Sequence, residues 1–471
     1  MTSQFDAIII GTGQAGPSLA NRLSQAGMHI AVIEQKQFGG TCVNTGCTPT
    51  KSLVANAKAA HIVRSAASFG IHIDSFSIDM AAVKARKDAI VKESSSSLEN
   101  WLRSMKECTV IKGHAAFESP NTVRVNGDLL KADKFFINVG CRAAIPKMMG
   151  LDQIPYLTNS SMMDVDFLPE HLIILGGGYI ALEFAQVYRR FGSRVTVIQR
   201  RPYLMPKEDI DISEEIRKIL ERDGIEILTD AHDAMISPGS KEGKITVQIE
   251  QQGVKKMVTG SHLFLATGRV PNTEDLGLEK AGIEKDQKGF IKVDDQLHTN
   301  QPHIWALGDC NGKGAFTHTS YNDYEIAAEN LLDKGSRLVS DRIPIYALFV
   351  DPPLGRVGMT EQQARESGKN VWMAKMPMTR VARARERSET DGFMKILVDK
   401  DSGKILGASF LGIECDEVVQ MIANVMYAKA PYVSICKGVQ IHPTVTELIP
   451  TLLEGLQPLE SYSLEKVGHG T

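Results

Sequence analysis

The chain opens with a run of apolar residues that leads directly into a glycine-rich turn. The pattern predicts a strand, a turn, a helix and a second strand, at residues 5–10, 11–16, 17–26 and 29–34. The same order returns at residues 171–175, 176–178, 179–191 and 194–199. Each βαβ pattern is typical of a nucleotide-binding unit, and their separation along the chain predicts two separate domains.

The rest of the chain divides into a helical stretch, a set of short strands and a mixed region. Residues 51–102 predict helices, with an interruption at Ser94–Ser97, and residues 109–139 predict short alternating strands. Beyond about Asp341 the pattern changes, with further strands and helices at residues 345–350, 393–399, 405–411, 415–429 and 447–456. This region predicts a third, α+β domain.

Composition and charge exclude several classes of partner. The 53 Lys and Arg nearly balance the 56 Asp and Glu, and a net charge of -3 argues against binding to nucleic acid or to an anionic membrane. No stretch approaches the ~18 to 20 apolar residues of a membrane span, and the N-terminal run lacks the basic flank of a signal peptide. We therefore expect a cytoplasmic protein. Seven cysteines, an odd number on a long chain, do not indicate a secreted disulfide framework.

The first glycine turn carries a dinucleotide-binding pattern. Gly11, Gly13 and Gly16 permit a tight turn and a close approach of the backbone, so that the start of the following helix faces a pyrophosphate. Glu34, at the end of the next strand, can accept hydrogen bonds from a ribose. The alternative is a glycine turn in a similar sheet that binds no dinucleotide.

The second glycine turn begins at Gly176, and the strand that follows its helix ends in Gln199, Arg200 and Arg201. NAD sites usually have a carboxylate at this strand end, which repels a 2′-phosphate, whereas two guanidinium groups can bind one. The charges therefore predict a preference for NADPH. Alternatively, the arginines only cover a solvated strand end.

Cys42 and Cys47 lie close enough in sequence to form a local unit. Their C-x4-C spacing differs from the C-x2-C of a zinc ribbon, and no second Cys or His pair lies near enough to complete a metal site, so we expect no metal. Pro49 suits a first helical turn, which places the cysteines at or just before a helix N-terminus. Because that position stabilises a thiolate, a redox pair is favoured over two buried structural cysteines.

His442 and Glu447 supply a possible acid–base pair. Pro443 keeps His442 outside the helix predicted to begin there, and Glu447, one turn in, can orient the imidazole and raise its basicity. The alternative is a structural or exposed histidine at a helix start.

Together these motifs resemble the pyridine nucleotide-disulfide oxidoreductases, the flavoenzyme family of lipoamide dehydrogenase, glutathione reductase and mercuric reductase. Residues 39–51, GGTCVNTGCTPTK, resemble the family's redox-active disulfide, and GGGYIALE, from Gly176, resembles its NAD(P)H-binding turn. Residues 265–272 resemble its linking segment, and residues 299–309 resemble its second FAD motif. The resemblance covers essentially the whole chain.

The resemblance implies an α/β fold with two Rossmann-like dinucleotide-binding domains and a C-terminal α+β dimerisation domain. The implied FAD-binding domain spans residues 1–150 and 275–340, the NAD(P)H-binding domain residues 151–274, and the dimerisation domain residues 341–471. The implied cofactors are FAD and NADPH, with NADH less favoured. The implied assembly is a homodimer whose active sites are shared between subunits.

The resemblance also implies the roles of single residues. The cofactor-binding set is Gly11, Gly13, Ala15, Gly16, Glu34, Gly40, Thr41, Lys51, Gly176, Gly178, Tyr179, Ile180, Arg200, Arg201, Gly268 and Asp309. The catalytic set is Cys42, Cys47, Lys51, Glu183, His442 and Glu447. By this resemblance Cys47 lies nearer the flavin as a charge-transfer thiolate and Cys42 attacks the oxidant. His442 and Glu447 serve the partner's site, and the Lys51–Glu183 pair lies beside the flavin, where a cation favours its reduced, anionic form.

Departures from the family pattern bear on the electron acceptor. Residues 464–471 contain no cysteine, whereas mercuric reductases end in a vicinal cysteine pair, and Gln199 replaces the carboxylate expected of a lipoamide dehydrogenase. Residues 39–51 nevertheless look closer to the mercuric-reductase branch. We therefore expect an NAD(P)H-dependent reductase of a small-molecule disulfide or metal ion. The alternatives are a dihydrolipoamide dehydrogenase and, in a different class, a slow flavin and disulfide redox sensor.

Overall fold

The computed structural model describes residues 2–462, and the cysteine-free tail at residues 464–471 lies outside the described residues. The helices and strands before residue 150 are, in chain order, β1 (Thr2–Ile10), α1 (Gly16–Gln25), β2 (Ile30–Glu34), α2 (Gly40–Asn44), α3 (Cys47–Ser65), α4 (Met80–Ser104), β3 (Cys108–Lys112), β4 (Ala115–Ser119), β5 (Thr122–Val125), β6 (Asp128–Ile137) and β7 (Cys141–Ala143).

The elements of the middle of the chain are β8 (His171–Leu175), α5 (Tyr179–Phe191), β9 (Arg194–Ile198), α6 (Ile210–Arg222), β10 (Glu226–Leu228), β11 (His232–Pro238), β12 (Ile245–Gln251), β13 (Val254–Gly260), β14 (His262–Leu265), β15 (Arg269–Pro271), β16 (Ile304–Ala306) and α7 (Thr317–Leu332). Those of the last part are β17 (Ile345–Leu348), β18 (Leu354–Gly358), α8 (Glu361–Glu366), β19 (Val371–Pro377), α9 (Ala382–Glu386), β20 (Phe393–Asp399), β21 (Lys404–Leu411), α10 (Cys415–Tyr427), α11 (Val433–Cys436), α12 (Ile449–Glu454) and β22 (Gln457–Pro458).

The first sheet is built around β1, whose apolar residues 7–10 are buried. β1 pairs in parallel with β2 and β6, the strand order is β3-β2-β1-β6-β5-β4, and β16 pairs with β6. Because the carboxyl ends of parallel strands meet at one edge, the residues that follow β1, β6 and β16 come together there. Those residues are Gly11, Asn138 and Leu307.

A second parallel sheet, ordered β10-β9-β8-β14, repeats this arrangement. β8 and α5 have the bounds predicted for them, and Gly176 follows β8 as Gly11 follows β1. The antiparallel sheet β11-β12-β13 shares an apolar cluster with β8 and β14. The linking segment forms a two-stranded sheet in which β15 pairs with β7.

The last part of the chain forms an antiparallel sheet, ordered β17-β18-β21-β20-β19-β22, with the amphipathic helix α10 packed against it. An apolar cluster joins Leu53 of α3, Phe184 of α5 and Leu348 of β17. The predicted fold class is thus confirmed, with two Rossmann-like units and a C-terminal α+β domain. Within residues 2–462, no helix is both long enough and apolar enough to cross a membrane.

Helix α4 is continuous through Ser94–Ser97, so the predicted interruption is wrong. Ser94 Oγ donates a hydrogen bond to the carbonyl of Ile90 at 2.8 Å, and Ser95 Oγ donates one to the carbonyl of Phe38 at 2.9 Å. Because these hydroxyls bond to carbonyl oxygens without displacing the N–H groups of the helix, the helical hydrogen bonds continue through the serine run.

Candidate active site

Two helix starts bring the cysteines to one hydroxyl group. Cys42 lies in the short helix α2, and Cys47 is the first residue of α3. Oγ1 of Thr317, the first residue of α7, lies 3.0 Å from Sγ of Cys42 and 3.2 Å from Sγ of Cys47. Both cysteines are thiols in the structure. The start of α3 and the start of α7 therefore meet at the sulfur pair.

The two thiols have opposite pKa shifts. A hydrogen bond from the Cys42 thiol lowers the pKa of Cys47 to about 6, the Thr317 hydroxyl and the Lys51 ammonium act in the same direction, and burial opposes them. The same hydrogen bond raises the pKa of Cys42, because its proton is shared with the Cys47 thiolate. At neutral pH the thiolate of the pair is therefore Cys47.

Lys51, one turn into α3, forms an ion pair with Glu183 of α5. Its Nζ donates to the two carboxylate oxygens at 3.0 and 2.8 Å. The Glu183 side chain is only 3% exposed and that of Lys51 is 33% exposed, so the carboxylate depends on its partner for neutralisation. The pair joins a helix of the first nucleotide-binding unit to a helix of the second.

The first glycine turn has no room for side chains. A Cβ atom at Gly11 would lie 2.4 Å from the carbonyl oxygen of Asn138, and one at Gly13 would lie 2.8 Å from Asn138 Oδ1. Gly40 approaches the same turn, since its Cβ would lie 3.0 Å from Cα of Gly13. Ala15, just before α1, is fully buried. Glycine is therefore required at these turn positions, and because a glycine turn at a helix start is where a pyrophosphate binds, the residues fit FAD.

Glu34 faces this turn and is held in place by it. Its Oε2 accepts hydrogen bonds from the N–H and the hydroxyl of Thr12 at 3.0 and 2.6 Å, and its Oε1 accepts one from the N–H of Lys36 at 2.8 Å. A carboxylate has about four lone-pair sites, so it can accept a further hydrogen bond from a ribose. Thr41, which follows the buried Gly39 and the half-buried Gly40, is exposed.

Asn138 connects the glycine turn to the second FAD motif. Its Oδ1 accepts a hydrogen bond from the N–H of Gly16 at 3.1 Å, and its Nδ2 donates one to the carbonyl of Leu307 at 2.9 Å. Two residues after Leu307, the Asp309 carboxylate is paired with Arg269 of the linking segment. Burial raises the pKa of Asp309 even though Arg269 opposes the shift.

The second glycine turn has open space above it. A Cβ atom at Gly176 would lie 2.3 Å from the carbonyl oxygen of Ala266, whereas one at Gly178 or Gly268 would have no described protein atom within 4 Å. Tyr179 and Ile180 follow in α5, and the Tyr179 ring lies 5.5 Å from that of Phe316, just before α7. This places Tyr179 near the start of the helix that contacts the cysteines.

Arg200 and Arg201 follow β9 and are both exposed. Within residues 2–462 neither guanidinium forms an ion pair with another side chain. Two unpaired arginines beside a glycine turn can bind a phosphate group.

His442 and Glu447 form the predicted contact, with Nδ1 2.9 Å from the carboxylate. The expected helix start at Pro443 is wrong by a few residues, because a short 3-10 turn begins at Thr446 and α12 begins at Ile449. The His442 side chain is 74% exposed. No hydrogen bond among the described residues joins His442 to Cys42 or Cys47.

Three residues at the site were missed in the sequence: Thr317, Asn138 and Phe349. The backbone N–H of Phe349, just after β17, donates a hydrogen bond to Glu183 Oε1 at 3.0 Å. All three contact partners more than 100 residues away, and none stands in a motif that a single sequence identifies.

Comparison with known proteins identifies relatives along the full chain. A family model described as pyridine nucleotide-disulphide oxidoreductase matches residues 5–325, and the dimerisation domain of the same family matches residues 345–453. The probable pyridine nucleotide-disulfide oxidoreductase RclA of Escherichia coli (strain K12) is 36% identical over 458 residues, which cover 96% of this chain and 99% of RclA.

Two further relatives and one solved structure also match nearly the full length of this chain. Mercuric reductase of Bacillus cereus is 32% identical over 93% of this chain and 70% of its own, and dihydrolipoyl dehydrogenase of Geobacillus stearothermophilus is 31% identical over 94% of each chain. The solved structure described as the Cu(II) complex of HOCl-induced flavoprotein disulfide reductase RclA from Escherichia coli matches with a TM-score of 0.87 and 35% identity, over 96% of this chain and 99% of that one.

Proposed function

Because the chain belongs to the pyridine nucleotide-disulphide oxidoreductase family, we propose that it is an NADPH-dependent flavoprotein reductase that passes electrons through Cys42 and Cys47 to a disulfide or metal-ion acceptor. The observation that carries the proposal is the convergence of both sulfurs on Thr317 beside the Lys51–Glu183 pair. The proposed domains are residues 1–150 with 275–340, 151–274 and 341–471, and a cytoplasmic location stays a prediction.

The chain's own residues divide the proposed reaction into two steps. FAD, when bound, would supply the two-electron redox chemistry that links the nicotinamide to the Cys42–Cys47 disulfide. Gly11, Gly13, Gly16, Glu34 and Asp309 are proposed to hold it. The resulting dithiol carries its negative charge on Cys47, which has the lowered pKa. Lys51, one turn along the same helix, stabilises that charge.

The raised pKa of Cys42 means that this thiol needs a base before it can attack an acceptor. We assign that role to His442 of the partner subunit, with Glu447 orienting its ring. Cys42 then bonds to one sulfur of a disulfide acceptor, and the other acceptor sulfur leaves and takes the proton. Attack of Cys47 on Cys42 restores their disulfide and releases the second thiolate. With Cu(II) as acceptor, two ions each take one electron and become Cu(I), while Cys42 and Cys47 lose their remaining proton and return to the disulfide.

Metal ions enter the proposal through two relatives. The solved relative is described as a Cu(II) complex, and another relative is a mercuric reductase. Two sulfurs that share one hydroxyl suit a soft or borderline metal ion as well as a disulfide. The acceptor class is therefore tested with both chemistries.

The test follows NADPH oxidation by the FAD-loaded protein with Cu(II), Hg(II) in excess thiol, lipoamide and small disulfides, each in a separate assay. We expect fast turnover with one acceptor and a loss of about 100-fold or more in Cys42→Ser. Cys436→Ser, which changes an exposed cysteine outside the pair, serves as the control. Slow turnover with every acceptor, or turnover that survives Cys42→Ser, contradicts the relay and favours a redox sensor.

Cofactor preference is tested separately at Arg200 and Arg201. The double variant Arg200→Ala/Arg201→Ala should lower kcat/KM for NADPH by about 10- to 100-fold and leave that for NADH nearly unchanged, because only NADPH carries the 2′-phosphate. Arg194→Ala, which removes an arginine from the start of the same strand, is the matched control. Equal use of both nucleotides by the wild-type protein would remove the basis of the proposed preference.

A dihydrolipoamide dehydrogenase is the second candidate, favoured by the 31% identity to such an enzyme. It predicts rapid reduction of NAD+ by dihydrolipoamide. Gln199, a neutral side chain at the end of β9, argues against it because it lacks the charge that selects NAD over NADP. Assaying the reaction in that direction separates the two candidates.

A further inference from the structure

The segment at residues 349–351, in the connection from β17 to β18, contacts both helix α3 and helix α5. Its first residue contacts both members of the Lys51–Glu183 ion pair. The Phe349 N–H donates to Glu183 Oε1 at 3.0 Å, and Nζ of Lys51 lies 4.5 Å from the centroid of the Phe349 ring. The C-terminal domain therefore supplies two of the contacts of an ion pair whose members belong to the two nucleotide-binding units.

The ring contact matters because Lys51 has a long, flexible side chain and is one-third exposed. The Glu183 carboxylate holds the ammonium from one side, and the electron-rich face of Phe349 attracts it from another. Two attractive contacts restrict the ammonium more than one, since each reduces the number of favourable side-chain rotamers. Without the ring, Nζ keeps its contact with the Glu183 carboxylate but loses the second of these two restraints.

Asp351 fixes the backbone of this segment. The Asp351 N–H donates to Gln186 Oε1 at 2.7 Å, and Gln186 Nε2 donates to the Asp351 carbonyl at 2.9 Å. The Asp351 carboxylate pairs with Arg190, and it also pairs with Lys58 at 3.0 Å. Phe349 is thus held by a buried network that does not depend on Lys51.

The spacing of these contacts explains why the segment follows both helices. Glu183, Gln186 and Arg190 lie three and seven residues apart on α5, and therefore on one face of it. Lys51 and Lys58 are likewise seven residues apart on α3. The segment contacts side chains along two turns of each helix. Its contacts with Lys51 and Glu183 are near the sulfurs, and the others are farther away.

We propose that Phe349 is a positioning residue of the cysteine relay, which holds the Lys51 ammonium beside Cys47 through its ring face. The inference rests on the proposed function, because it assigns Phe349 an effect on the Cys47 thiolate. Lys51 lowers the pKa of Cys47, whereas the Glu183 carboxylate raises it. Displacement of the ammonium therefore leaves the carboxylate less compensated and makes the thiolate harder to form.

The experiment compares Phe349→Leu with Phe349→Tyr. Leucine keeps the backbone N–H and an apolar side chain but has no ring face, while tyrosine keeps the ring face. Both are made in the Cys42→Ser background, so that alkylation of Cys47 in the reduced protein, read at the peptide level against pH, reports its thiolate alone. The long-wavelength absorbance of the FAD-loaded protein, in the background with both cysteines, is the second readout.

We expect the leucine variant to shift the midpoint for Cys47 alkylation upward by about half a pH unit and the tyrosine variant to keep the parent value. If the leucine variant does not fold, judged by its thermal unfolding midpoint, Phe349→Met takes its place in the same titration. Equal midpoints for the parent, leucine and tyrosine proteins would overturn the inference, as would an equal shift in both variants.

The proposed function fails in a different way. A reduced, FAD-loaded protein with both cysteines that develops no long-wavelength absorbance lacks the Cys47 thiolate on which the relay depends. That absorbance in the protein with both cysteines, combined with an unshifted leucine variant, leaves the relay intact and removes only the role of Phe349.

Discussion

At the scale of single residues, the site depends on which of two neighbouring thiols gives up its proton. Cys42 and Cys47 are five residues apart and share one hydroxyl, yet the pKa of Cys47 is lowered to about 6 and that of Cys42 is raised. The Cys47 thiolate should therefore form as the pH rises through about 6 and be lost below it. Cys47 is thus able to act as a nucleophile at neutral pH, whereas Cys42 needs a base.

Thr317 provides the first prediction at this scale. Thr317→Val removes the hydroxyl from between the sulfurs while keeping the shape of the side chain, so the pKa of Cys47 should rise by about 0.5 to 1 unit, the size of one hydrogen bond. The measurement is the pH dependence of the thiolate absorbance in the reduced, FAD-loaded protein. Thr317→Ser keeps the hydroxyl and should titrate like wild type; a serine variant as impaired as the valine variant would mean that the methyl group matters instead.

The sequence predicts residues of this site wherever a motif is local. Cys42 and Cys47 lie five residues apart at a helix start, a spacing that predicts a redox pair, and Lys51 follows in the segment that resembles the family's motif. Thr317 lies 270 residues from Cys47 and is one of many threonines, so only the meeting of two helix starts reveals it. Asn138 is equally hidden, because its two hydrogen bonds reach 122 and 169 residues along the chain.

At the scale of elements, the start of α6 is joined to the C-terminal sheet by a buried group of charges. Glu208 and Asp209 precede α6 and face Arg356 of β18 and Lys395 of β20. The Glu208 side chain is fully buried, and its Oε1 has no hydrogen-bond partner among the described residues. Burial raises the pKa of Glu208 to about 7, Asp209 acts in the same direction, and Arg356 and Lys395 oppose the shift.

The second prediction follows from the sign of that shift. A carboxyl group whose pKa is higher in the folded than in the unfolded protein stabilises the fold below its ordinary value, and this stabilisation is lost as the pH rises through about 7. Between pH 5 and pH 8, the free energy of unfolding should therefore decline by about 1 to 3 kcal/mol less in Glu208→Gln than in the wild type. The thermal unfolding midpoint, measured across that range, should fall less steeply in the variant. Glu242→Gln, at an exposed position, is the control, and parallel curves for Glu208→Gln and wild type would refute the assignment.

Elements are predicted well where periodicity alone decides them. The bounds of β8 and α5 follow from an apolar run and an amphipathic stretch around three glycines. The helix near His442 begins later than its proline suggests, because Thr444 Oγ1 donates to the carbonyl of Ile441 and accepts from the N–H of Glu447. This local turn of threonine hydrogen bonds competes with the helix, and proline patterns alone do not reveal it.

At the scale of the whole molecule, the proposed relay needs a histidine from a second subunit. His442 is largely exposed, and Val439 and Ile441 beside it are also exposed, on the part of the chain that matches the family's dimerisation domain. Exposed apolar residues next to a candidate base are typical of a surface that a second subunit covers. The spacing of His442 and Glu447 predicts the dyad, but the shared site is predicted only by resemblance, because no pattern in one chain states which residues meet across an interface.

The third prediction tests the shared site by mixing two defective subunits. Cys42→Ser alone and His442→Ala alone should each form dimers with little activity, since each dimer has two damaged sites. In a mixed dimer the damaged residues fall together in one site, and the other combines an intact cysteine pair with an intact His442. Equal co-expression with two affinity tags gives half mixed dimers, so the pool should recover about a quarter of wild-type activity, and the purified mixed dimer about half. If each subunit instead used its own histidine, every site would remain damaged and mixing would recover nothing.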